Sequence, residues 1–439
     1  MAREQEFAAD LIDFIHTSPT PFHVVANIKE ILLDAGFQPL KLDERWSMSR
    51  GDKCFVTRND SAIIAFVVGE GDVAEEGFRL IGSHTDSPSF RVKPHPEMVI
   101  ENAYLKLNTE VYGGPIYNTW MDRPLSLAGR VSLRTDDPFR PESRFVWFDD
   151  PVLIIPNESL HQNRKLNEGV ELNPQEDLLP LLASVSETFE KDQFLASLLA
   201  ERLGVDLDQV IDFDLFLTEY EKGCLVGLDQ GFISSTKLDN LAMVHASMHA
   251  FMASGTGSAT NLLVCYDNEE VGSRTKQGAA SPLLSTLLER IMMALGKDRE
   301  DFYRAVQNSF LVSADMGHGL HPNAVKRHDP VNKPVLNGGP MIKVAAKMNF
   351  ITDSNTAAVF KAICEQQDVP VQTFVSRSDQ KGGSTIGPIT TTQLDIRSLD
   401  VGNPALAMHS IRELAGVLDH DWIRRAFEGL YSAERLPNA

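Results

Sequence analysis

The sequence predicts an α/β protein whose mostly parallel sheet is covered by helices and whose chain is interrupted by an inserted β-rich domain. Two observations carry this prediction. Short, almost wholly apolar stretches, among them AIIAFVV (62–68), NLLVCYD (261–267) and FLVSAD (310–315), alternate with amphipathic stretches of helical length. Strands that are apolar on both faces belong in a sheet packed on each side, which is the parallel arrangement. Between about 93 and 232 the texture changes to short β-rich pieces separated by Pro, Gly and Asn turns. The sheet and its helices are therefore assigned to residues 1–92 and 233–439, and the insert to 93–232.

Taken in order, residues 5–36 read as one or two amphipathic helices, broken at SPTP (18–21) and stopped at the Ala-Gly of 35–36. Strands AIIAFVVG and GFRLIGSH follow, the second ending in His84. Within the insert, YLKLNTEVYGG, LSLAGRVSL, FVWF and VLIIP read as strands. A polar stretch, NESLHQNRKLNEGVELNPQED, then leads to a helical region expected near 178–203. After Gly231, strands are expected at 261–267, 310–315, 341–346 and 371–376, and helices at 239–253, 282–296, 354–367 and 408–418.

The composition is that of a soluble globular protein, 43% hydrophobic and 23% charged, so a sizeable core is available. A net charge of −20 with no basic stripe excludes nucleic acid as a partner. No apolar run approaches the roughly 20 residues of a membrane span. The N-terminal MAREQEFAADLIDF lacks the features of a secretory signal. Four dispersed cysteines with no CxxC pair fit a reduced, cytoplasmic chain.

Sites in such a sheet gather at the carboxyl ends of strands, and there carboxylates and histidines recur. In IGSHTDSP, His84 and Asp86 face the same way on an extended chain; His84 reads as a metal ligand and Asp86 as the carboxylate that orients it. Asp239 stands at a strand-to-helix junction, where an N-cap role alone would account for it. CYDNEEVGS is more telling. Asp267, Glu269 and Glu270 crowd the end of a buried strand, where they repel unless a cation or a proton intervenes. One carboxylate there would bind metal while its neighbour takes a proton from water. FLVSADMGHGLHPN adds Asp315, His318 and His321, and PALAMHSIRE places His409 at the start of the last expected helix.

The set His84, Asp239, Glu270, Asp315 and His409 offers N and O donors and no thiolate. That suits zinc, manganese or cobalt in an open catalytic site, with carboxylates bridging two ions about 3.5–4 Å apart. His245 and His249 in VHASMHAF have the spacing of a helical zinc pair, but Ala246 occupies the place of the HExxH base. They read as core or helix-surface histidines. QKGGSTIGP (380–388) matches neither phosphate-loop pattern and reads as a tight loop beside the site.

In order along the chain, HTDSPSFRVKP, STKLDN, DNEEVGS, SADMGHGLHPN, NGGPMIKV, GGSTIGPI and LAMHSIRE resemble the motifs of the M18 aminopeptidases, the aspartyl aminopeptidase family. The resemblance spans nearly the whole chain. It implies a zinc-peptidase-like catalytic domain with an inserted dimerisation domain, built into a tetrahedral dodecamer from dimers. It further implies two divalent ions per subunit, bridged by Asp239, with His84 and Asp315 on one and Glu270 and His409 on the other. Glu269 would be the general base, and His318 a substrate contact. His161, in the polar part of the insert, would reach a neighbouring subunit's site to hold substrate or the oxyanion; an alternative makes it a metal ligand. Lys343 would meet the acidic side chain of the substrate, a peptide with Asp or Glu at its N-terminus. Burying that carboxylate requires such a cation or several hydrogen-bond donors. After MIKV the chain departs from the family and reads AAKMNFITDSNT, and Lys381 offers a further positive charge nearby. The competing readings are a related two-metal deacylase or carboxypeptidase and a catalytically silent peptide-binding shell.

Overall fold

The apolar stretches lie side by side in a nine-stranded mixed sheet, seen in a computed structural model that describes residues 2–186, 189–380 and 382–433. Its order is Gln38–Pro39, Lys53–Arg58, Ala62–Val67, Thr260–Tyr266, Phe78–His84, Phe310–Ala314, Arg397–Gly402, Met341–Val344, Gln372–Val375. The four central strands from Thr260–Tyr266 to Arg397–Gly402 run parallel to one another, and antiparallel pairings flank them. Alternation explains why these strands carry no polar face. Ile63, Ala65 and Val67 enter one core while Ile64 and Phe66 enter the other. Helices Ala2–His16, Pro21–Asp34, Leu238–Ala253, Ser354–Gln366 and Val417–Tyr431 close the first core; Leu283–Ala294 and Arg299–Gln307 help to close the second.

A second, six-stranded sheet is wholly antiparallel. It runs Glu142–Trp147, Leu125–Leu133, Val210–Glu219, Ser89–Ile100, Tyr104–Tyr112, Leu181–Ser184, with its own core around Leu107, Leu127, Leu195 and Leu215. Buried Glu219 at the end of Val210–Glu219 pairs with Arg123 and, at 3.0 Å, with Arg412, which ties this sheet to the third. That third sheet, of five short strands, joins Phe232–Ser235 to Glu413–Gly416, Pro404–Leu406 and Gly317–His318.

The expected helix at 408–418 does not form. Glu413–Gly416 pairs instead with Phe232–Ser235, and His409 sits in a turn with φ 68°. Long-range backbone and side-chain bonds outweigh the local helix preference there. Among the described residues of the region near 178–203, the helix is confined to Phe194–Leu203, because Leu181–Ser184 is taken into the six-stranded sheet by Tyr104–Tyr112. VLIIP makes only isolated bridges at Leu153 and Ile154. The strand Ser89–Ile100, not expected from its two prolines, absorbs them through an irregularity between Val92 and Glu97.

Candidate metal centre

Three adjacent parallel strands deliver the first groups. Phe78–His84 lies between Thr260–Tyr266 and Phe310–Ala314, and Tyr266 stands opposite His84 in register. His84, the turn carrying Glu269 and Glu270, and Asp315 therefore emerge at one carboxyl edge. Asp239 comes from the first turn of Leu238–Ala253, and its peptide bond to Asn240 is cis. His409 comes from the turn between Pro404–Leu406 and Glu413–Gly416.

The five converge. His84 Nε2 lies 3.6 Å from Asp239 Oδ1 and 3.8 Å from Asp315 Oδ2. His409 Nε2 lies 3.7 Å from Asp239 Oδ2 and 3.5 Å from Glu270 Oε2. Two ligand triads result, His84–Asp239–Asp315 and Asp239–Glu270–His409, each with its donor atoms within 4.8 Å of one another and with Asp239 common to both. His84, Glu269 and Glu270 form a third grouping of the same compactness.

The opposite ring nitrogens are already committed. His84 Nδ1 is 3.0 Å from the Asp86 carbonyl and 3.3 Å from its carboxylate, and His409 Nδ1 is 3.0 Å from the Gly114 carbonyl. Both imidazoles thus present Nε2 to the carboxylates, the pattern of a metal-binding histidine with its other N–H held. Asp86 also accepts from the backbone N–H of Glu269 and of Glu270, each at 3.1 Å, and from the Tyr112 hydroxyl at 2.7 Å. One carboxylate therefore fixes the histidine and the acidic turn together.

The electrostatics ask for cations. Asp239 Oδ1 and Glu270 Oε1 are buried without a hydrogen-bond partner among the described residues. Burial, reinforced by Asp239, pushes the Glu270 carboxyl well above its ordinary range. Burial also lifts Glu269 to about 8, with Asp315, Asp86 and Asp239 adding to the shift and His84 opposing it. Orphaned oxygens and mutually repelling acids in an N/O donor set fit divalent ions held by these residues.

The acids border a cavity of about 370 Å³ whose wall includes Lys343, His318 and residues 382–385. Lys343 is buried, and its Nζ donates to Asp315 Oδ1 at 3.0 Å and to the Met316 carbonyl at 2.6 Å. Among the described residues it is the only lysine or arginine lining this cavity. His318 is exposed at the rim, its ring 6.1 Å from that of Phe374. His161 is not brought to the centre of its own chain; it lies exposed in the loop before Leu166–Glu168. Lys381 falls outside the described residues.

Sequence reasoning missed several supporting groups. Glu413 is buried, and its two carboxylate oxygens accept from the backbone N–H of Asp239 at 2.9 Å and of His409 at 2.8 Å. Asn240 spans the Ala314 carbonyl and the Met316 N–H on either side of Asp315. Tyr112 belongs to the six-stranded sheet. Only Glu413 carries a sequence hint, an acid four residues beyond His409. Glu413→Gln is expected to leave a buried N–H unmatched, at a cost of about 1–3 kcal/mol, and to weaken metal binding roughly 10–100-fold. Thermal melting and chelator competition would read both effects.

Comparison with known proteins agrees with this architecture. Residues 14–431 match the M18 peptidase family, described as aminopeptidase I zinc metalloprotease. A Clostridium novyi (strain NT) protein named probable M18 family aminopeptidase 2 is 54% identical over 432 residues, covering 98% of this chain and 100% of that protein. A protein of the same name from Ectopseudomonas mendocina (strain ymp) is 44% identical over 437 residues, covering 99% and 100%. Among solved structures, a chain of "Cryo-EM structure of the Ape4 and Nbr1 complex" superposes with a TM-score of 0.94 at 37% identity, covering 98% of this chain and 86% of that one. A chain of "Structure of S. cerevesiae mApe1 dodecamer" superposes at 0.87 with 28% identity, covering 99% and 98%.

Proposed function

This chain belongs to the M18 family of zinc metallo-aminopeptidases, and from that premise we propose that it removes acidic residues, aspartate before glutamate, from peptide N-termini with two metal ions. The observation that carries the two-metal reading is the pair of triads sharing Asp239. His84 and Asp315 would hold one ion and Glu270 and His409 the other, most simply zinc, with manganese or cobalt as alternatives. Bound there, the ions would polarise the scissile carbonyl and acidify the attacking water. Glu269 takes a proton from that water and returns it to the departing amine. Asp86 holds the backbone of Glu269 so that its carboxylate stays at the cavity.

Lys343 supports the acidic preference. Its ammonium has three donors, of which Asp315 and Met316 engage two, leaving one for a substrate carboxylate in the cavity. It also supplies positive charge that a chain of net charge −20 otherwise withholds from an acidic ligand. The test is the release of Asp, Glu, Leu and Lys from otherwise identical dipeptide amides. Asp and Glu should lead, and Lys343→Met should lower kcat/KM for Asp relative to Leu by roughly 10–100-fold, the loss of one charged hydrogen bond. Release led by Leu in the wild type would discard the acidic pocket while keeping the chemistry. Cleavage of N-acetylated substrates would favour a deacylase instead.

The reading extends to assembly. A homo-oligomer, a dodecamer built from dimers through the six-stranded sheet, would let the exposed His161 enter a neighbour's cavity and hold the oxyanion. His161→Ala should then cost about 10²–10³-fold in kcat. Oligomers mixed from His161→Ala and Glu269→Gln subunits should regain activity, since each supplies what the other lacks; mixtures as inactive as their parents would refute a role in trans. A cytoplasmic setting suits the four free cysteines, and no described helix is long and apolar enough to cross a membrane.

A further inference from the structure

We propose a separate cation site at which Asp10, His245 and His249 bind a borderline divalent transition metal such as Zn²⁺, fastening the N-terminal helix to the helix that begins beside Asp239. From the sequence, His245 and His249 read as core or helix-surface residues. The structure makes His245 buried and His249 partly exposed, on one face of Leu238–Ala253, and brings Asp10 of Ala2–His16 over both.

The geometry is that of a ligand set. His245 Nε2 and His249 Nε2 lie 3.1 and 3.2 Å from the same oxygen, Asp10 Oδ2. Ligands on a tetrahedral ion with bonds of about 2.0–2.2 Å stand roughly 3.3–3.6 Å apart, so each of the two histidine–Asp10 distances is within a few tenths of an ångström of its value in a filled site. All three donor atoms lie within 4.8 Å of one another. Two imidazoles that served only as hydrogen-bond donors would be better spread over two carboxylate oxygens; convergence on one suits a shared cation.

The surroundings match. His245 Nδ1 is 2.9 Å from Nε2 of the buried His420, so the nitrogen turned toward Asp10 is the one left for an ion, and the other is held as metal-binding histidines require. Phe7 forms an apolar wall, its ring 4.7 Å from that of His420, 4.9 Å from His245 and 5.2 Å from His249. Arg424 stacks on Phe7 at 5.2 Å and is paired with Asp421 and Glu428. Asp10 and His249 are open to solvent, which gives an ion its entry and a water its fourth position. Two imidazoles and one carboxylate select zinc, cobalt, nickel or copper over magnesium or calcium.

The test compares metal-free wild type with His249→Gln by equilibrium dialysis against zinc and elemental analysis. The wild type should bind one more zinc per subunit than the variant, and the variant should keep its peptide turnover. Asp10→Asn should reproduce the loss, which guards against a folding defect in the first variant. Cobalt-loaded wild type should show the strong visible absorption of a four-coordinate ion in the difference spectrum against His249→Gln. Equal zinc content in the two proteins would overturn the proposal. So would a missing ion accompanied by lost turnover, which would assign that ion to the centre at Asp239.

Discussion

Glu269→Gln should keep its metal content and lose roughly 10²–10⁴-fold in turnover, the range assigned to a positioned general base. The amide matches the carboxylate in size, and the backbone N–H of residue 269 keeps its bond to Asp86, so the turn should hold its shape. What disappears is the oxygen able to accept a proton at the cavity that Glu269 lines. The neighbouring substitution separates the roles. Glu270 belongs to the triad with Asp239 and His409, with Oε2 3.5 Å from His409 Nε2, so Glu270→Gln should release an ion as well as activity. Because Glu269 also groups with His84 and Glu270, the opposite assignment is a live outcome of the experiment. A Glu269→Gln protein that loses an ion, or that retains wild-type rates, would remove Glu269 from the role of base.

His84, Glu270 and Asp315 are legible one at a time because each stands at or just past the end of an apolar run, whereas Asp239 reads locally as an N-cap. NLLVCYD is followed by Glu269 and Glu270, which no turn preference calls for, FLVSAD ends in Asp315, and GFRLIGSH ends in His84. Their convergence follows from topology: consecutive parallel strands bring their carboxyl ends to one edge. The groups that hold the ligands are harder to read, since their partners are remote. Tyr112 is 26 residues from Asp86 and Glu413 is 174 from Asp239, and neither pairing leaves a periodic trace. The same remoteness misleads at 408–418, where ELAG continues a helical pattern locally but pairs as a strand with Phe232–Ser235. Lys343 is legible as a strand lysine near the site; that Asp315 would claim part of its charge is not.

Removing the metal should abolish turnover and lower the melting temperature together, because the centre is arranged against itself without cations. Among the described residues, Asp239, Glu269, Glu270 and Asp315 share one wall with a single ammonium, that of Lys343. Burial raises the pKa of both the Glu270 and Asp315 carboxyls, Lys343 opposes that rise at Asp315, and Asp239 adds to it at both. An ion that binds only the folded state stabilises it by about 2.7 kcal/mol at a free concentration of 100 times its Kd. Two such ions imply a fall on the order of 5–10 °C on chelation, recovered when zinc is returned. In the His249→Gln background the measurement would read only the ions proposed at Asp239, so a fall that persists there would be assigned to them. A chelated protein that melts where it did before and still cleaves its substrate would mean that these acids fold without metal, and the shared-Asp239 geometry would need another cause.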